Sequence, residues 1–146
     1  MTLDDDHGDS WGLGRFCAAQ DPVIDTVRAE LAAGRKRSHW MWFIFPQING
    51  LGLSAMSQRY AIADLAEARA YLAHPVLGPR LRDCTRLAMS SGRTALEIFG
   101  PVDAQKLLSC LTLFSTAGSE PLFVQALGQF FNGRYDQATM AILQMA

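Results

Sequence analysis

Arg35-Lys36-Arg37-Ser38-His39-Trp40-Met41-Trp42-Phe43-Ile44-Phe45-Pro46-Gln47 decides how this chain is read. Three cations and a histidine run directly into six apolar residues, four of them aromatic, and two of the three tryptophans fall here. An apolar run this dense is costly to leave in water, so it is expected inside the core. That placement pins the basic cluster at a core boundary, where it could form the wall of a ligand pocket. Trp40 to Phe45 is apolar on every side, so periodicity leaves strand and short buried helix both open; the aromatic content favours a strand, and the lack of a partner strand favours a helix. Pro46 ends the element in either case.

Working outward, helical spacing dominates. Val23, Ile24, Val27 and Leu31 recur after Asp21-Pro22, with Asp21 as the expected cap, Pro22 as the first helical residue and Gly34 as the stop. Phe16 belongs to a short helical turn ahead of it. Gln47 to Ser54 reads as a loop by its glycines. Asp64 and Glu67 have capping-box spacing ahead of Leu65, Ala68, Tyr71 and Leu72, which run on to His74-Pro75. A further helix is predicted over about 77–90, with Leu77, Leu81, Cys84, Leu87 and Ala88 on one face. Thr94 and Glu97 repeat the capping signature for a short helix closed by Gly100-Pro101. Asp103 opens a long apolar helix through Phe114, and Gly118 and Pro121 break it. Phe123, Ala126, Leu127 and Phe130 mark the next helix, stopped near Asn132-Gly133, and Asp136 caps the last. The count is seven or eight mostly short helices with no substantial sheet: an all-α class, arranged as a single bundle over 13–146 behind an acidic, flexible tail at 1–12.

Composition narrows the function classes. The 146 residues carry a net charge of -1, which argues against bulk electrostatic affinity for nucleic acid or anionic lipid. No run approaches the roughly 18 apolar residues of a membrane span. The N-terminus is acidic where a secretory signal would be basic, so a cytoplasmic location is expected. Cys17, Cys84 and Cys110 are scattered and lack zinc or redox spacing; they read as small buried hydrophobes in a reducing compartment. No His, Cys and carboxylate set has metal-ligand spacing, and no cofactor is implied.

Three constellations can be weighed for chemistry. Arg35, Lys36 and Arg37 follow a helix C-terminus, where cations meet the negative end of the dipole. As a functional set they offer forks and a point charge for phosphate or carboxylate, with His39, Trp40 and Trp42 available for hydrogen bonding or stacking. Gly50-Leu51-Gly52-Leu53-Ser54-Ala55 is a near-match to the dinucleotide fingerprint, but Pro46 and Asn49 interrupt the strand that the fingerprint needs; an ordinary glycine loop is the simpler reading. Asp103 and Lys106 can pair at i,i+3, and Lys106 can reach toward the same pocket as the basic cluster. His74 reads as a capping or packing residue. Phe123, Phe130 and Phe131 read as core or, if exposed, as a dimer face.

With these residues in view, the chain resembles a bacterial family of unknown function, number 1810 in the domain-of-unknown-function series, often mislabelled calpastatin. The resemblance runs from Phe16 onward. It is most specific at Gly34 to Gln47 and Gly50 to Ser54, with support from Tyr60-Ala61-Ile62, Glu67 to Leu72, Leu77 to Leu81, Ile98-Phe99-Gly100, Asp103 to Leu107 and Leu111 to Phe114. It implies a compact all-helical fold and carries no established activity, cofactor or catalytic residue. Ser109-Cys110-Leu111 departs from the two serines and a methionine often found there, which argues against chemistry by a serine at position 110.

Two functions are expected to compete. The first is a pocket for a small anionic ligand, a nucleotide or phosphate-bearing metabolite, beside 35–47. There Lys36 and Arg37, with Arg35 beside them, neutralise charge. His39 hydrogen-bonds or exchanges a proton, and Trp40 or Trp42 stacks. Gln47, Tyr60, Asp103 and Lys106 contribute further contacts. The second is a protein–protein interaction module or homodimer with no small-molecule ligand. The sequence is compatible with binding alone or binding followed by reaction, and with a monomer or a homodimer.

Overall fold

The computed structural model describes residue 9 and residues 11–145. Among these the chain forms nine helices and no strand. They are α1 (Gly14–Gln20), α2 (Ile24–Ala32), α3 (Met41–Ile44), α4 (Ala55–Arg59), α5 (Leu65–Ala73), α6 (Leu77–Ser90), α7 (Ala95–Ala117), α8 (Pro121–Phe131) and α9 (Gln137–Met145). The fold is all-helical, as the sequence predicts, with slightly more helices than the seven or eight expected. The excess comes from short pieces such as α4, whose five residues are too few to show an apolar stripe; its signal is the Ser54 cap, whose hydroxyl oxygen accepts from the Ser57 N–H at 3.1 Å. The acidic tail expected at 1–12 falls largely outside the described residues. Asp9 is described, and its carboxylate accepts from the Leu13 and Gly14 N–H groups at the start of α1.

The long helix α7 is the spine, with α5, α8 and α9 packed on it and α6 joining α2, α5 and α8. Its Leu107, Leu111 and Phe114 stripe is buried, and Phe114 touches Tyr71 of α5 (5.3 Å between ring centres) and Phe123 of α8 (6.0 Å). Gly100-Pro101 closes the short helix that Thr94 caps, as predicted, and α7 is two helical segments joined across this kink. Gly100 takes φ 77° and ψ 170°, a backbone that Pro101 permits and that only glycine adopts without strain, and the helix resumes beyond it. Thr94 and Glu97 form the predicted capping box ahead of this helix.

Local chemistry explains two departures from the sequence reading. Asp21 does not cap α2; it ends α1, and its carboxylate instead accepts from Arg80 at 2.8 Å. Glu67 is buried and reaches past Asp64, accepting from the Ala63 N–H at 2.7 Å and pairing with Arg15 at 3.1 Å. The single parallel bridge in the described chain joins Ile48 to Ile62. Its two hydrogen bonds, Asn49 N–H to Ile62 C=O and Ile62 N–H to Gln47 C=O, are both 2.8 Å. They clamp the ends of the 47–62 loop and so position Gln47.

The aromatic run resolves as a helix: Trp40 leads into the four residues of α3. Trp40, Phe45 and Phe99 form a mutually packed trio with ring centres 5.8–6.4 Å apart. Phe43 packs on Tyr60, and Gln20 fastens the turn by donating to the Phe43 carbonyl at 2.7 Å. No strand is needed, because one helical turn plus Trp40 and Phe45 buries the rings on several neighbours at once. Gly50 to Ala55 leads into α4 with no strand before it, so the dinucleotide fingerprint lacks its structural context.

Candidate functional site

The basic stretch begins where α2 stops. Gly34 adopts φ 74°. Gly34 N–H donates to Leu31 C=O and Arg35 N–H to Glu30 C=O, both at 3.0 Å, the pair of hydrogen bonds of a Schellman turn. The chain then folds back over Glu30. Its carboxylate accepts from Arg37 N–H (2.8 Å), Ser38 N–H (3.1 Å), the Ser38 hydroxyl (2.5 Å) and the Trp40 indole N–H (2.9 Å). Partial burial pushes this carboxyl up, but the Ser38 hydroxyl, the two backbone donors and the indole together outweigh it and hold Glu30 down at about 2. The sequence reading missed Glu30, because a glutamate near a helix end resembles any solvated charge.

The next group is built on Asp103. Lys36 Nζ lies 2.8 Å from its Oδ2 and Lys106 Nζ lies 3.5 Å from its Oδ1. Lys36 also stands over the Trp40 ring and Lys106 over the Trp42 ring, each 5.1 Å from the ring centre. Two ammonium groups thus share one carboxylate, each backed by an indole face, and the trio keeps one net positive charge. Lys36 is the deeper, with its side chain 9% exposed, and Lys106 is at 20%. Trp40 is fully buried, whereas Trp42 is only partly buried.

Beside Lys106 lies a cleft of about 420 Å³. One wall is Gln47, Leu51, Gly52 and Ser57 from the clamped loop. The other is Val102, Gln105, Lys106 and Ser109, one face of α7 by the i, i+3, i+4, i+7 rule. Asp136 and Ala138, at the start of α9, line the remainder. Asp136 is 7% exposed. As predicted it caps α9: its Oδ2 accepts from the Thr139 N–H (3.0 Å) and hydroxyl (2.5 Å). It also accepts from Ser109 at 3.1 Å, and its Oδ1 accepts from Gln105 at 3.0 Å.

The ten residues singled out in the sequence are therefore divided. Lys36, Trp40, Trp42, Asp103 and Lys106 come together, and Lys106 and Gln47 reach the cleft. Arg35, Arg37 and His39 are exposed, and their side chains make no hydrogen bond or ion pair among the described residues. Tyr60 is buried between Phe16 and Phe43, away from the cleft lining. Gln105, Ser109 and Asp136 were missed as site residues; the polar face of α7 opposite its leucine stripe was the available signal. Other polar groups have structural duties. The His74 ring accepts from the Val76 and Leu77 N–H groups, and burial pushes the Cys84 thiol up to about 12. Phe123 and Phe131 are core.

Comparison with known proteins matches residues 10–143 to the family described as "Protein of unknown function (DUF1810)". The chain belongs to that family. It is also similar to a solved structure, the conserved hypothetical protein Rv1873 from Mycobacterium tuberculosis. The two are 49% identical and superpose with a TM-score of 0.92 over 94% of this chain and all of the other. No curated protein matches the chain. No helix among the described residues is long and apolar enough to cross a membrane.

Proposed function

We propose that the protein binds a small anionic ligand, a nucleotide or other phosphate-bearing metabolite, in the cleft between the 47–57 loop, α7 and α9. The observation that carries this reading is the placement of Lys106. Asp103 spends its closer contact on Lys36, so Lys106 keeps most of its charge for the cleft it lines. The Trp42 face holds its ammonium in place without neutralising it. The volume falls in the range of small-molecule sites, and Leu51, Val102 and Ala138 give apolar walls around a few polar groups, the usual make-up of such sites. Lys36 acts here as the partner that occupies Asp103. Gln47 supplies an adaptable amide at the rim.

The test is a thermal-shift screen of nucleotides, sugar phosphates and simple polyanions. A ligand at 100 times its dissociation constant adds about 2.7 kcal/mol to stability, a readily measured rise in melting temperature. Lys106→Met should abolish that rise while leaving the melting temperature of the free protein nearly unchanged. A screen with no shift, or a shift that survives Lys106→Met, contradicts the reading.

A further inference from the structure

We infer that the ligand presents a hydroxyl to Asp136, which places it among phosphorylated polyols such as sugar phosphates and nucleotides rather than simple phosphates; this rests on the anion reading above. An ionised carboxylate has about four lone-pair positions. In Asp136 they are unevenly used: Oδ2 accepts from Ser109 and twice from Thr139, whereas Oδ1 accepts only from Gln105. No cation pairs with Asp136 among the described residues. The group is more than nine-tenths buried and lines the cleft. A ligand that fills the cleft leaves Oδ1 with the Gln105 N–H as its one donor unless it brings a second.

The chemistry of that donor follows from its surroundings. A phosphate beside Asp136 would set like charges together in a poorly solvated place, so the anionic end belongs at Lys106 and a neutral end at Asp136. An ammonium brings three protons, and the amide and hydroxyl groups around Asp136 are already turned toward it as donors. One open acceptor position matches the single proton of a hydroxyl. The ligand is thus read as two-ended, with its phosphate on Lys106, a hydroxyl on Asp136 and its carbon skeleton against Leu51 and Val102.

Calorimetry on the full chain with matched probes tests this: AMP against 2′,3′-dideoxy-AMP, ribose 5-phosphate against ethyl phosphate, and O-phosphoethanolamine for the ammonium. The hydroxylated member of at least one pair should bind at least tenfold more tightly. Asp136→Asn should shrink that advantage to within about twofold and leave the hydroxyl-free probe unchanged, and Asp136→Ser, which also caps helices well, serves if the first variant fails to fold. Equal affinity within both pairs, or tightest binding by O-phosphoethanolamine, overturns the hydroxyl assignment and leaves the anion reading standing. Binding of none of the five probes overturns both.

Discussion

The Glu30–Trp40 turn and the Lys106–Asp136 cleft are built from similar materials, a buried or half-buried carboxylate surrounded by donors, yet they differ in what is left over. Around Glu30 four donors close on one side chain, and all of them come from the next ten residues of chain. Around Asp136 the donors come from two helices, one oxygen is underused, and a cleft opens beside it. The first arrangement spends its polar groups on fixing a chain reversal. The second leaves an oxygen with one donor and a lysine 3.5 Å from its carboxylate, both on residues that line a cleft. Polar richness marks both, and the acceptor capacity left over is what separates the strut from the proposed site.

The strut should break first and hardest. Trp40 is fully buried, with its indole N–H on Glu30 and its ring on Phe45 and Phe99. Trp40→Ala should cost about 3–5 kcal/mol, read from a urea denaturation midpoint. Trp42→Ala should cost less than half as much, since that ring is only partly buried and its second role is to carry Lys106. Equal losses for the two would erase the distinction between turn and cleft.

Glu30 gives the next effect and a pH signature. Its carboxyl is held at about 2, below the ordinary 4.5, so the folded state favours the ionised form. A depressed folded value adds stability that is whole above the unfolded value and disappears as pH falls through the folded one. The gap in unfolding free energy between wild type and Glu30→Gln should therefore be full at pH 6 and shrink between about pH 4.5 and 2. With hydrogen bonds to charged groups contributing about 1.5–3 kcal/mol, a loss near 2 kcal/mol at pH 6 is expected. A gap that stays flat down to pH 2 would sever Glu30 from the turn.

These residues also show what a sequence can and cannot disclose. Helix ends were legible where a cap is a contact within four residues: Thr94 with Glu97, Asp64 with Glu67, Asp136 with Thr139, Gly34 at φ 74°. Asp21 misled for the same reason, since its partner Arg80 lies 59 residues away and no local rule points to it. The burial of Trp40, Met41, Phe43, Ile44 and Phe45 followed from composition alone. The inequality of Trp40 and Trp42 did not, because it depends on which side of a four-residue helix meets Phe99. Lys106 was visible through its i,i+3 spacing to Asp103, but the cleft needs residues from 47, 105 and 136 brought together by the Ile48–Ile62 bridge and by α9 on α7. Tyr60 was named as a further ligand contact and is instead held in the core by its ring.

Lys36 and Lys106 sharpen the comparison at smaller energies. Lys36 is nearly buried against Asp103 at 2.8 Å, and Lys106 is more exposed at 3.5 Å. Removing one partner of a fully buried pair costs about 3–5 kcal/mol and exposed pairs contribute about 0–1, so Lys36→Met should fall between, near 2 kcal/mol. Lys106→Met should stay within about 0.5 kcal/mol of wild type, the usual range at a site that supports no core contact. A double-mutant cycle with Asp103→Asn should show stronger coupling for Lys36 than for Lys106. The reverse order would make Lys106 the structural lysine and remove the charge assigned to the cleft.

The smallest expected effect is at His39, and it discriminates for that reason. His39 stands between Ser38 and Trp40, both bound to Glu30, yet its own ring is exposed and makes no hydrogen bond among the described residues. It does not line the cleft. A surface substitution away from caps and buried partners changes stability by about 0.5 kcal/mol or less, so His39→Ala should leave the denaturation midpoint unmoved. It should also leave unchanged any ligand-induced thermal shift that Lys106→Met removes. If His39→Ala weakens that shift with the melting curve intact, the binding surface extends out of the cleft and along the basic stretch, and Arg37 beside it becomes the next residue to change.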